Sequence, residues 1–238
     1  MIILMWRIAV VLAFFAPFRA YAETAEELFA SGVKCIDDAQ WENAIGWFSR
    51  TIESNPRPEV LAPAYLDRGV CREHISDPDG AVHDYDSAIQ VYPDYAAAYG
   101  KRAYFFAKRE DYEHALADAN KALSIVPSSV EAFYARALAK VGLKDYDGAA
   151  HDYTSALAFR PNDPEGYVGR AICRSKLGDQ HGAVQDFTRA FALDPKNKAL
   201  RERLDKELRN RPNQALQHND PSCHAACVRT CRASRGRG

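Results

Sequence analysis

The sequence returns to the same residues every 34 positions, and this period restricts the fold more than any other property of the chain. Arg recurs as Arg68, Arg102, Arg136 and Arg170, and Asp as Asp84, Asp118, Asp152 and Asp186, so two ladders advance together at a fixed offset. Four more columns keep the step: Asp77, Asp111, Asp145 and Asp179; Ala81, Ala115, Ala149 and Ala183; Ala88, Ala122, Ala156 and Ala190; Pro93, Pro127, Pro161 and Pro195. The period is too long for a heptad and too short for a propeller blade, and it suits a helix-turn-helix unit. Such units bury their core by stacking on neighbours, so function has to be sought on a surface.

Within each unit the columns resemble the tetratricopeptide repeat, which places aromatic residues, small residues and a Pro at set offsets. The third unit reads Tyr99, Ala103, Phe106, Ala115, Ala119, Ala122, Pro127. The second gives Tyr65, Gly69, Ala81, Tyr85, Ala88, Pro93, and the fourth Phe133, Ala137, Ala149, Tyr153, Ala156, Pro161. Tyr167, Ala171, Gly178, Ala183, Phe187, Ala190 and Pro195 fill the fifth, and Leu28, Gly32, Ala44, Phe48 and Pro56 a degenerate first. The resemblance covers about three quarters of the chain. It implies an all-α fold: an α-solenoid, wound as a right-handed superhelix, of five units at 25–58, 62–95, 96–129, 130–163 and 164–197. The step from Ala44 to Ala81 is 37, which puts three extra residues near Arg57 to Leu61.

Local chemistry agrees. Small residues at fixed spacing let two helices approach while aromatics fill the space around them. The Asp77 column is suited to N-cap each second helix, and Pro78 and Pro164 follow Asp77 and Asp163 at N1, where a missing N–H is harmless. Residues 198–210 carry Leu200, Leu204 and Leu208 among charged neighbours, the pattern of a C-terminal capping helix with one apolar stripe.

Residues 1–22 have Arg7, an apolar run from Ile8 to Phe18 and the sequence Ala20-Tyr21-Ala22, as in a cleavable signal peptide. The expected location is therefore exported, periplasmic or secreted and of bacterial type. The apolar run is shorter than the roughly 20 residues a membrane span needs and no later stretch approaches that length, so no stable membrane span is expected after cleavage; an uncleaved anchor is the alternative. Without this segment the net charge is about −3, divided between an acidic array and a Cys/Arg-rich tail at 211–238 with Arg229, Arg232, Arg235 and Arg237 and no acid after residue 222. The tail reads as a disordered end or a short electrostatic tether.

The Arg and Asp ladders fall on facing helices of one hairpin, where an Arg fork can hold a carboxylate and fix the helix angle, so they are expected to be structural ion pairs. An anion-binding Arg stripe would be neutralised by the matching Asp. The family resemblance places ligand contacts on the first helices. Carried over position by position, these are Leu66, Val70 and His74; Lys101, Tyr104 and Lys108; Tyr134, Leu138 and Val141; and Val168 and Ile172. Such a groove suits a protein or peptide partner with apolar anchors, unless the side chains pack sideways into neighbouring helices. Relatives that grip a terminal carboxylate use Lys and Asn at two neighbouring groove positions, a pair this chain lacks. Trp41 and Trp47 are expected to cover the amino end of the stack.

Cys71 and Cys173 occupy equivalent positions in two units and cannot meet; Cys35 is either bridged to Cys71 or a small buried thiol. Cys223, Cys227 and Cys231, with His224, contain ligand types suited to zinc. On a helix, however, their first and last thiols lie about 12 Å apart, too far for one tetrahedral ion. No metal site and no cofactor are therefore expected, and tail disulfides, including links between chains that would allow self-association, are the alternative. His83, His114, His151 and His181 fall on second helices. There is no G-x-S-x-G, H-E-x-x-H or phosphate-binding glycine loop, so no enzyme is expected, and no nucleic-acid partner is expected either. The reading is a non-catalytic adaptor; the alternative is a redox- or metal-responsive protein acting through the tail.

Overall fold

The computed structural model describes residues 23–210; the expected signal peptide and the Cys/Arg-rich tail, with Cys223, His224, Cys227 and Cys231, lie outside them. Among the described residues there are eleven helices and no strand. In chain order they are α1 (Ala25–Asp37), α2 (Trp41–Glu53), α3 (Pro58–His74), α4 (Pro78–Val91), α5 (Ala96–Lys108), α6 (Tyr112–Ile125), α7 (Val130–Gly142), α8 (Tyr146–Phe159), α9 (Pro164–Lys176), α10 (Gln180–Leu193) and α11 (Lys198–Asn210). Two compact units divide within α7, after Ala135.

Each turn inside a hairpin is built the same way. The N–H groups of Ser76 and Asp77 bond the carbonyls of Glu73 and Arg72, and the same pair of bonds recurs at Glu110 and Asp111, Lys144 and Asp145, and Gly178 and Asp179. This is the Schellman arrangement, which needs a left-handed residue just past the helix. Ser76, Glu110, Lys144 and Gly178 have φ of 62, 65, 63 and 85°. The Asp that follows turns its carboxylate onto the backbone N–H three residues on, at Gly80, His114, Gly148 and Gly182, and so caps the next helix. Ala39 and Gln40 make the same pair of bonds in the first hairpin, with φ of 54° at Ala39, and of these left-handed positions only Gly178 carries the residue that tolerates it without strain.

In the first unit of the chain, the core is made of Ala and aromatic columns: Ala44, Phe48, Ala64 and Cys71 in one cluster, and Leu66, Ala81, Tyr85, Ala88, Ala98 and Phe105 in the next. Gly69 is required by packing: a Cβ there would lie 2.8 Å from the Tyr85 ring, and one at Gly32 2.6 Å from Phe48. In the second unit Ala171, Phe187, Ala190 and Leu200 form the corresponding cluster, with Leu204 against it, so α11 packs on the last hairpin through the first two leucines of its stripe, while Leu208 stays exposed. The three extra residues do not form a loop. They lengthen α3 by a turn at its start, with Pro58 at N1, and leave Pro63 inside the helix.

Candidate functional site

The ladders form one repeated ion pair. Arg68 Nε and Nη2 donate to Asp84 Oδ2 and Oδ1 at 2.9 and 2.7 Å; Arg102 meets Asp118 at 2.7 and 2.8 Å, Arg136 meets Asp152 at 3.0 and 2.6 Å, and Arg170 meets Asp186 at 2.9 and 2.8 Å. The carboxylates are buried, from 0% exposed at Asp84 to 7% at Asp118, so no ligand can reach them. The forks also reach the second helix of the preceding hairpin: Arg68 bonds Ser49, Arg102 bonds Asp86, and Arg170 bonds Thr154. Burial works against the charge on Arg102, but its bonds to Asp118 and Asp86 outweigh this and raise its pKa.

Sequence reasoning missed a second cation at three of these carboxylates. Arg72, Lys140 and Arg174 reach Asp84, Asp152 and Asp186 at 3.1, 2.8 and 2.8 Å, and each also donates to the carbonyl of Gly80, Gly148 or Gly182. The signal was present, since these residues keep the 34-residue register. The third hairpin interrupts it twice: Phe106 stands in the cation column and His114 in the glycine column, with ring centroids 5.4 Å apart.

The first-helix positions divide into three groups. Leu66 does not line a groove; it is 5% exposed and packs with Tyr85 and Phe105, a correction to the family carry-over. Leu66 keeps the 34-residue register of Tyr134 and Val168, which are half-buried, so its burial comes from the Tyr85 and Phe105 rings packed around it rather than from its place along the helix. Val70, Val141, Val168 and Ile172 are half-buried, each with one side against a core cluster. Tyr134 and Leu138 are also half-buried.

Lys101, Tyr104, Lys108 and His74 are exposed. They converge with Val70 and Glu73 around a hollow of about 290 Å³ on α3 and α5. That volume is at the small end for a ligand pocket and fits a side chain or two. His74 stacks on Trp41 with ring centroids 3.8 Å apart, so Trp41 faces the following hairpin and does not cover the amino end. Glu73, which was not among the expected residues, accepts a hydrogen bond from the buried Tyr85 hydroxyl and also lines a second hollow, of about 340 Å³, with Ser76, Pro78, Phe105, Lys108 and Arg109. Burial, reinforced by Glu73, holds the Tyr85 hydroxyl well above its usual range.

Asp67 lies on the same stretch of α3. Burial pushes its carboxyl up to about 6, opposed by the positive charge of Lys101. Tyr95 is pushed up to about 12, first by burial and then by Asp67.

Cys35, Cys71 and Cys173 are free thiols. Burial pushes Cys71 to about 12 and Cys173 to about 11, which keeps both as neutral thiols in the packing rather than nucleophiles. Among the described residues no three His, Cys, Asp or Glu side chains gather as metal ligands, and no helix is long and apolar enough to cross a membrane.

A tetratricopeptide repeat family model matches residues 75–130 and 134–198, together just over half of the chain. Solved structures with this arrangement of helices include a thermophilic TPR protein of Thermus thermophilus, with 20% identity, a TM-score of 0.63 and coverage of 78% of this chain and 99% of that one. PilW, a widely conserved type IV pilus biogenesis factor, is 18% identical with a TM-score of 0.70, over 79% of this chain and 87% of its own. PilF of Pseudomonas aeruginosa is 19% identical with a TM-score of 0.68, over 79% and 85%.

Proposed function

Because the chain belongs to the tetratricopeptide repeat family, we propose that it is a non-catalytic interaction scaffold that holds a peptide or protein segment against its first helices. The observation that carries this reading is the hollow around Tyr104: an exposed aromatic, two exposed lysines and the apolar flank of Val70 on adjacent first helices. The structurally similar PilW is a pilus biogenesis factor, and a role in assembly at the cell envelope is consistent with the signal-like residues 1–22. The expected location is the periplasm or the outside of the cell, and the purified protein should begin at Glu23. Fold alone does not assign a function; the reading rests on the surface.

A photo-crosslinking amino acid placed at Tyr104, compared with one at the outward-facing Glu113 on α6, tests the reading in the native host. A partner captured at 104 and not at 113, and lost when Tyr134 is changed to Ala, is the expected result. Equal capture at both sites would remove the first-helix face from consideration.

A further inference from the structure

We propose that the hollow on α3 and α5 takes an acidic amphipathic helix, with two carboxylates two turns apart and an apolar residue between them. This rests on the scaffold reading and specifies its partner. Lys101 and Lys108 lie seven residues apart on α5, about 10.5 Å along its axis, and Tyr104 stands between them, 43% exposed. Neither lysine has an ion-pair partner among the described residues, although Lys108 Nζ sits 5.4 Å from the centre of the Tyr104 ring. Side chains seven residues apart lie on one face of the helix, two turns from each other, with Tyr104 between them. They match two anionic groups at the same spacing, which a helix presents on one face at i and i+7.

The local acids do not fill this role. Glu73 accepts a hydrogen bond from the Tyr85 hydroxyl and Asp67 is recessed, facing Lys101 on α5 as well as Tyr95 and Cys71, and neither acid lies within ion-pair distance of Lys101 or Lys108. An incoming helix therefore meets the lysines first and finds its apolar contact at Val70 and Tyr104. The chain's own terminal segment is an unsuitable occupant, because residues 223–238 carry four Arg and no acid and would be repelled.

The probe is a fluorescein-labelled helical peptide with both ends blocked, Glu two turns apart on one face and two Leu between them, titrated by anisotropy against the purified full chain. Binding should weaken about tenfold when the two Glu become Gln and again in added salt. The decisive variant is Lys101→Glu with Lys108→Glu: it should lose the Glu peptide and gain a peptide carrying Lys at the same two positions, with unchanged helicity.

If Glu and Gln peptides bind alike, and Tyr104→Ala weakens both, the charge match is wrong while the scaffold reading stands. If a free C-terminal carboxylate strengthens binding and the two Glu are dispensable, the site reads a chain end and the inference is overturned. Binding that ignores both the charge swap and Tyr104→Ala places the peptide elsewhere and removes both readings, and failure of every peptide to bind overturns the inference.

Discussion

Arg72 reaches the Gly80 carbonyl at 3.0 Å across the hairpin because Gly80 has no side chain: a Cβ there would stand 2.9 Å from Arg72 Cδ and would collide with the capping carboxylate of Asp77. Arg174 and Gly182 repeat the relationship, with 3.0 Å to Arg174 Cδ and the same collision with Asp179. The cation, the glycine and the capping Asp form one joint, and the third hairpin replaces the first two together with Phe106 and His114. Swapping only one member should be worse than keeping either set.

Two glycines separate this effect from helix propensity. Gly182→Ala should lower stability by about 1 kcal/mol, because displacing the Asp179 cap and the Arg174 stem outweighs the gain in propensity. Gly46→Ala, on the exposed side of α2 with nothing within 4 Å of the new methyl, should raise stability by about 0.5–1 kcal/mol. Urea denaturation of the two variants checks the sign of each.

The left-handed column gives a second paired test. Glu110→Gly and Lys144→Gly should each stabilise by about 0.5–1 kcal/mol, since φ near 65° strains an L-residue, while Gly178→Ala, at φ 85°, should destabilise by about 1 kcal/mol or more. Thermal melts followed by circular dichroism would show midpoints moving in opposite directions.

The buried pairs should behave as coupled units. Asp84→Ala leaves Arg68 and Arg72 facing each other without their shared anion and should cost about 3–5 kcal/mol. Changing Asp84, Arg68 and Arg72 together to apolar residues should cost much less than the single change, because no uncompensated charge remains. A triple-mutant cycle on unfolding free energies measures the difference; equal losses would mean that the anion contributes little to the hairpin.

Asp67 sets a pH dependence. Its carboxyl has a pKa of about 6 in the fold against 3.8 for the reference side chain, so the folded state holds the proton more tightly. Stability therefore falls as pH rises from near 3.8 to about 6, and the ionised, partly buried carboxylate remains unfavourable above that range. Asp67→Asn should be more stable than the wild type well above pH 6, with the advantage shrinking as pH falls toward 4. Unfolding curves across that window would refute the assignment if the advantage grew on acidification.

Read alone, the sequence determined the repeat, the helical hairpins, the Asp caps and the Arg–Asp partnership, because each depends on local spacing and on a register of 34 that one line of residues displays. It also marked the first helices as the surface to examine, through the family resemblance. Tertiary structure decided which of those positions face outward. Leu66 turned into the core beside Tyr85, Trp41 went to His74, and Lys101, Tyr104 and Lys108 gathered around one hollow with Glu73. The reason is geometric: spacing along a helix fixes which residues share a face, but the angle at which the next hairpin packs decides which edge of that face is covered.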